Sequence, residues 1–264
     1  MTTRKQKALW VYANPSNPSF NQQIFEAGVV ALGDGYDVET SDLYAMDFDA
    51  RLSSRDLGTV GEQAEPGSSF VELTGDAFAA GQLPEEVQRE QAKLAEADLL
   101  VLQFPLWWYG APAMVKGWFD RVLTNGFAFG DDIDGDAGVP RRYGDGKFVG
   151  RRALIVVTAG EDAASIGPRG ISGDIDSLLF PITHGTFWYL GMSSLPLHVI
   201  TDADGLGAED VEHEINRLVE RLKDIDSESP VPFRKLNEGQ YRPGRALNPE
   251  ILPGRTDLGI HLHA

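Results

Sequence analysis

The sequence predicts an α/β protein built on a doubly wound, five-stranded parallel sheet, and three observations carry that expectation. Five short apolar runs alternate with stretches of helical periodicity, which is the pattern of a parallel sheet covered on both faces. The composition, with 264 residues of which 42% are apolar and 24% charged, allows a sizeable core in a globular chain. The third observation is the stretch Leu99–Phe129, where an apolar run passes into three consecutive aromatics and then into a helix. Strand, aromatic loop, helix is the layout of a ligand site at the carboxyl end of a parallel strand.

In chain order, Ala8–Ala13 reads as the first buried strand. Asn14-Pro15-Ser16-Asn17-Pro18-Ser19-Phe20-Asn21 follows, a loop of turn formers and side-chain oxygens. Ile24, Ala27, Gly28, Ala31 and Leu32 then keep helical spacing. A polar loop opening onto a helix N-terminus favours a bound phosphate, because unpaired amides and the helix dipole face it. A plain turn capped by Ser19 or Asn21 fits the same residues, and on this stretch alone both readings stand. No glycine precedes Gly28, so a dinucleotide G-x-G-x-x-G loop is excluded.

Tyr36–Thr40 alternates as a second strand, closed by Ser41–Tyr44. Asp47–Leu83 is loose and rich in Gly, Ser and acidic residues, and reads as an irregular excursion. Pro84–Ala97 is a helix, with Glu85 and Glu86 near its positive end. The third strand starts at Leu99 and breaks at Phe104-Pro105. Trp107, Trp108 and Tyr109 lie in its loop, and a helix runs through Met114, Val115, Trp118, Phe119, Val122 and Leu123. Three of the five tryptophans fall in this segment. Asp132, Asp134 and Asp136 resemble the start of a calcium loop. Glycine is missing from its sixth position, however, and Tyr143 stands at its twelfth. Gly144-Asp145-Gly146-Lys147 ends in Phe148 and is no Walker A loop. Ala153–Thr158 is the fourth strand, with a long loop from Ala159 to Gly173. A helix carrying Ile175, Leu178, Leu179 and Ile182 follows, and then a fifth strand from Leu195 to Ile200. Val211, Ile215, Leu218, Leu222 and Ile225 form the core stripe of a last helix. These expectations divide the chain into one α/β domain, residues 1–229, and an extension, 230–264. The extension is rich in Pro, Gly and Arg, and is expected to pack on a neighbouring subunit.

Charge and composition exclude other classes. A net charge of −17 speaks against a nucleic-acid partner and is read as a solvated acidic surface. No apolar run approaches the roughly 18 residues of a membrane span, and the start of the chain lacks a signal-peptide cleavage pattern. With no cysteine there is no disulfide framework, thiol nucleophile or thiolate metal site. A cytoplasmic location and no resident metal are the expectations. His261 and His263 read as a mobile chain end.

With five strands, the flavodoxin-like order 2-1-3-4-5 is the natural one, and its ligand sits on the loops after strands 1, 3 and 4. A ligand with a phosphate at one end and a flat ring at the other suits a polar loop, an aromatic loop and the turn at Thr158–Gly160. That describes a flavin.

The segment DLLVLQFPLWWYGAPAMVKGWFDRVL resembles the hallmark of the NAD(P)H:quinone oxidoreductases of DT-diaphorase type. The Ser-Phe-Asn loop, SDLYAMDF and PRGISGDIDSLLFPITHG carry the likeness over nearly the whole chain. In its later part the chain is most similar to bacterial NAD(P)H-dependent oxidoreductases. The resemblance implies a flavodoxin-like homodimer whose site includes residues of the second subunit. It implies FAD (with FMN as the alternative), reduced by NADPH or NADH and reoxidised by a quinone-like acceptor. By the same resemblance Asn14, Ser19, Phe20 and Asn21 hold the phosphate region. Pro105, Leu106, Trp107, Trp108 and Tyr109 wrap the ring, with Thr158 and Gly160 on its other edge.

Two departures bear on catalysis. Ile166 and Ser172 stand where animal members carry a Tyr and a His that stabilise charge on the reduced flavin. Ile166 donates no hydrogen bond, and Ser172 donates one but takes up no proton near neutral pH. Ser172 and Trp107 are the expected catalytic positions, with proton management weakened. Asn14 replaces a family His. His184 is expected at a helix end, bonded to terminal carbonyls. The alternatives are an azo- or nitro-compound reductase, a flavin reductase, a flavodoxin-like electron carrier without a substrate site, and an idle relative kept for protein contacts.

Overall fold

A computed structural model describes residues 4–130 and 141–263. The aspartates 132, 134 and 136 of the calcium-like motif lie outside the described residues.

The sheet has the expected order β2-β1-β3-β4-β5, and every pairing in it is parallel. Its strands are β1 (Gln6–Tyr12), β2 (Tyr36–Asp42), β3 (Leu99–Pro105) and β4 (Arg152–Thr158). The fifth strand begins earlier than expected and is split. β5 (Ser193–Ser194) pairs with the start of β4, and β6 (His198–Ile200) pairs with its end. Pro196 lies in the gap, where it has no amide to give to a ladder.

Alternation along the central strands sorts the core onto two faces. Leu9, Val11, Leu100, Leu102, Phe104, Ile155 and Val157 point to one face. They meet Leu94 of α4 (Glu85–Glu96) and Val115, Trp118 and Val122 of α5 (Ala113–Val122). Ala8, Trp10, Tyr12, Leu99, Val101, Leu154 and Val156 point to the other. There they meet Ile24 and Leu32 of α1 (Phe20–Leu32) and Leu218 and Leu222 of α8 (Ala208–Lys223). α1 comes close at Gly28, where a Cβ would lie 2.2 Å from the Trp10 ring.

The excursion after β2 is more ordered than its composition suggests. It holds α2 (Gly58–Glu62) and α3 (Phe70–Ala79). α3 buries only Thr74 and Ala77, so it writes no apolar stripe into the sequence. A buried ion pair ties the excursion to α5: Arg121 Nε donates to Asp56 at 2.7 Å, and the same guanidinium meets Glu86. The helix expected from Ile175 to Ile182 is broken into α6 (Ile175–Leu178), α7 (Phe180–Ile182) and a π-helical stretch, Thr183–Trp188.

The extension is mostly irregular and packs on its own chain. Phe233 and Arg234 are buried, and Val231 N donates to Ser194 O at 2.8 Å. Trp188 Nε1 donates to Arg234 O at 3.0 Å, and Arg234 Nε donates to Ile260 O at 3.0 Å. The chain end is held as well, since Tyr241 Oη and His261 Nδ1 lie 2.8 Å apart. The expectation of a mobile histidine pair is therefore corrected. Among the described residues no helix is long and apolar enough to cross a membrane.

Candidate functional site

The expected site residues converge at the carboxyl edge of the sheet. Ser19 caps α1 through Gln22 N (3.1 Å), and Asn14 Nδ2 donates to the same Ser19 oxygen at 2.9 Å. The first helical amides have no intrahelical acceptor, and the first turn of α1 carries no acidic side chain. A phosphate therefore meets donors there and no local carboxylate. Asn21 does not cap the helix. Its side chain reaches β4, with Nδ2 3.0 Å from Thr158 Oγ1. Behind it Gln103, fully buried, donates to Asn21 O at 2.7 Å and accepts from Trp10 Nε1 at 3.0 Å. Phe20 packs against the core beside Ile24 rather than standing free.

The third loop joins the same edge. Pro105 is in register with Thr158, and Leu106 N donates to Thr158 O at 2.7 Å. Trp107 and Gly110 then exchange two backbone hydrogen bonds of 3.1 Å, closing a two-residue turn. Its central residues are Trp108 and Tyr109, at φ 51° and φ 60°. Such turns favour Asn and Gly. Two aromatics in the left-handed region cost about 1–2 kcal/mol each, and strain of this kind gathers at functional sites. The turn holds Trp108 97% exposed, with Trp107 at 42% and Tyr109 at 43%. Among the described residues Trp108 has almost no cover, while Trp107 and Tyr109 are half-buried. Donors for a phosphate on one side and exposed rings on the other fit the chemistry of a flavin.

The loop after β4 completes the edge. Gly160 lies so close to the loop after β6 that a Cβ would stand 2.5 Å from Asp204 Oδ2. Ser172 is drawn in. Its Oγ lies 3.2 Å from Glu161 Oε1 and 3.4 Å from Tyr109 Oη, and Tyr109 donates to Glu161 Oε1 at 3.0 Å. Ile166 is buried at 2% exposure, so the position of the family Tyr is turned into the core. Leu106, Trp108, Tyr109, Gly160 and Glu161 line a cavity of about 490 Å³, together with Asp162, Asp202 and Asp204. The sequence reading missed these four acids. Glu161 follows Gly160 directly, but an acidic residue after a loop glycine is unremarkable by composition. Asp202 and Asp204 were recoverable only from the rule that every strand end along this edge faces the ligand.

A second cavity of about 470 Å³ lies between the π-helical stretch and the extension. His184 sits in it at 9% exposure, stacked on Phe180 (4.5 Å), Tyr143 (5.0 Å) and His261 (5.3 Å). Burial, and secondarily the neighbouring His261, push its pKa down to about 4. Among the described residues the ring of His184 makes stacking contacts rather than the expected bonds to helix-end carbonyls, because it lies second in the π-helical stretch instead of at the end of a helix. Among the described residues no group of three or more His, Cys, Asp or Glu side chains could hold a metal ion.

A family model described as a flavodoxin-like fold matches residues 6–225. The chain belongs to the flavodoxin-like fold family. Within it, the chain is 35% identical over 261 residues to a ribosyldihydronicotinamide dehydrogenase-like protein of Penicillium crustosum, covering 97% of this chain and 95% of that one. It is also 35% identical to NAD(P)H dehydrogenase [quinone] 1 of Cavia porcellus, over 93% of this chain and 87% of that protein. A crystal structure assigned as a quinone reductase from Klebsiella pneumoniae superimposes with a TM-score of 0.90 at 40% identity. That match covers 98% of this chain and all of the other. This flavodoxin-like protein thus bears out the resemblance to the quinone oxidoreductases.

Proposed function

We propose that the chain is a flavin-dependent NAD(P)H oxidoreductase, which takes a hydride from NADH or NADPH and delivers two electrons to a quinone-like acceptor. One observation carries the reading. Asn21 and Leu106 both bond to Thr158, and so bring a phosphate-type helix start and a strained aromatic turn to one strand end. The names of the quinone dehydrogenase relatives support it.

In this reading Asn14, Ser19 and the first amides of α1 hold the phosphate region. Pro105, Leu106, Trp107, Trp108 and Tyr109 position the ring, and Thr158 and Gly160 face its other edge. The flavin supplies the two-electron chemistry, while the chain supplies orientation and a dry, shaped surround. Ser172 acts as a hydroxyl held by Glu161, and Trp107 as a wall of the reacting site. FAD is the flavin implied by the resemblance, and FMN meets the same ring and phosphate requirements.

The protein is a homodimer in the cytoplasm, and its acceptor site is shared between subunits. The ring-lined cavity formed by His184, Tyr143, Tyr241 and His261 is the face one protomer lends to its partner. The test is an absorption spectrum of purified protein, mass spectrometry of the released flavin, and NAD(P)H oxidation with a soluble quinone. A yellow protein that oxidises pyridine nucleotide only when a quinone is present is the expected result. A flavin-bearing protein inert toward every acceptor overturns the enzyme reading.

A further inference from the structure

The expected Tyr and His of the family are absent, yet the cavity at the sheet edge is not without a titratable group. Glu161 Oε1 receives the Tyr109 hydroxyl at 3.0 Å and the Ser172 hydroxyl at 3.2 Å. An ionised carboxylate only accepts, so both hydroxyls direct their protons at Glu161 in the cavity wall. The backbone of Glu161 is fixed too, since Asp202 N donates to Glu161 O at 2.9 Å. The other charges facing this group are all negative. Asp162 comes from the same loop, and Asp202 and Asp204 from the loop after β6. Asp162 is engaged by Ala164 N (2.8 Å), Ser165 N (3.0 Å) and Ser165 Oγ (2.6 Å). Among the described residues no Lys, Arg or His lines the cavity.

We propose that Glu161, beside the hydroxyls of Tyr109 and Ser172, raises the pH at which the bound reduced flavin loses its second proton, keeping it protonated at neutral pH, and lowers its reduction potential above that pH. The inference rests on the flavoenzyme reading above. Its sign follows from charge balance. Hydride arrival delivers two electrons and one proton, leaving the reduced ring anionic unless a second proton is taken from solvent. A fixed carboxylate nearby opposes the anion and favours the protonated form. A cationic His in the family position would do the reverse, so Glu161 inverts the electrostatics rather than merely weakening them.

The experiment is a spectroelectrochemical titration of the flavin-loaded protein from pH 5.5 to 9, for wild type, Glu161→Gln, Tyr109→Phe and the two combined. Gln keeps the oxygen acceptor and removes only the charge. The expected result is at least a tenfold shift of the reduction equilibrium toward reduced flavin in Glu161→Gln at the alkaline end of that range, where the reduced ring is anionic, and little shift at the acid end. The tenfold shift is about 30 mV upward for a two-electron couple. The pH at which the reduced flavin loses its proton also moves downward, and the shift shrinks when Tyr109 is Phe. A potential and proton loss identical to wild type, with flavin bound, overturns the inference and leaves the flavoenzyme reading standing. Protein that neither carries nor takes up flavin overturns both.

Discussion

The two cavities are nearly equal in size, about 490 Å³ and 470 Å³, and opposite in chemistry. The one at the sheet edge is walled by carboxylates and by rings that a strained turn holds out to solvent. Among the described residues the one against the extension has no carboxylate in its walls, and burial lowers the pKa of its stacked imidazoles. The first is made by loops that follow neighbouring strands. The second is made by segments about a hundred residues apart, held by aromatic packing. Strand-end loops can vary without touching the core, whereas the ring cavity is continuous with it through Phe233.

That contrast predicts which cavity is costly to damage. Phe233 is buried against His184 (4.9 Å), Phe180 (6.0 Å) and Trp188 (6.0 Å). Phe233→Ala is expected to cost about 3–5 kcal/mol in urea unfolding. Flavin content under native conditions should stay unchanged. Loss of flavin together with stability would mean that the two cavities are one cooperative unit.

The buried histidines give the second expected effect. Burial, helped by Arg217 and Arg221, pushes His198 down to about 3, and His184 falls to about 4. Both pKa values lie below the ordinary value near 6.5, so the unfolded chain binds protons that the folded one refuses. Their contribution is therefore complete above pH 6.5 and is lost as pH falls toward 4 and 3. The slope is roughly 1.4 kcal/mol per pH unit for each histidine that stays neutral. His184→Phe should flatten unfolding free energy against pH by one such slope between pH 6 and 4.5. An unchanged slope would show that His184 is protonated within its stack.

At the sheet edge the expected effects are smaller in stability and larger in ligand. Ser19→Ala removes the α1 cap at about 1 kcal/mol. It should also weaken flavin binding about tenfold, equivalent to about 1.4 kcal/mol, in a fluorescence titration of the apoprotein. A stability loss with unchanged flavin affinity would leave Ser19 as a cap alone.

The same contrast explains what could be read without coordinates. The strands, a polar helix start capped by Ser19 or Asn21 and the aromatic loop were legible, because each is written in a contiguous stretch whose period or turn chemistry is local, and five strands alternating with helices made the sheet order the natural one. Glu161 was not, since its meaning comes from Tyr109 and Ser172 closing on it across two loops. α3 was hidden because it buries almost nothing. His184 was misplaced because π-helical winding and four ring partners leave no periodic trace. The extension was read as packing on a neighbouring subunit, and its own-chain anchors, the buried Phe233 and Arg234, are isolated residues that leave no periodic trace.

The smallest effect is the sharpest test of whether the ring cavity serves the reaction. Tyr241 Oη lies 2.8 Å from His261 Nδ1 at the wall of that cavity, where burial raises the Tyr241 pKa and lowers that of His261. Tyr241→Phe keeps the ring and deletes that one hydrogen bond, about 1 kcal/mol of net stability. If the chain dimerises and an acceptor lies against this wall, KM for the quinone should rise several-fold. The reduction of the flavin by NADH or NADPH, measured by stopped flow, should not change. Equal effects on both half-reactions would move the role of this wall from the acceptor to the shared architecture, and no effect on either would make the cavity a packing feature only.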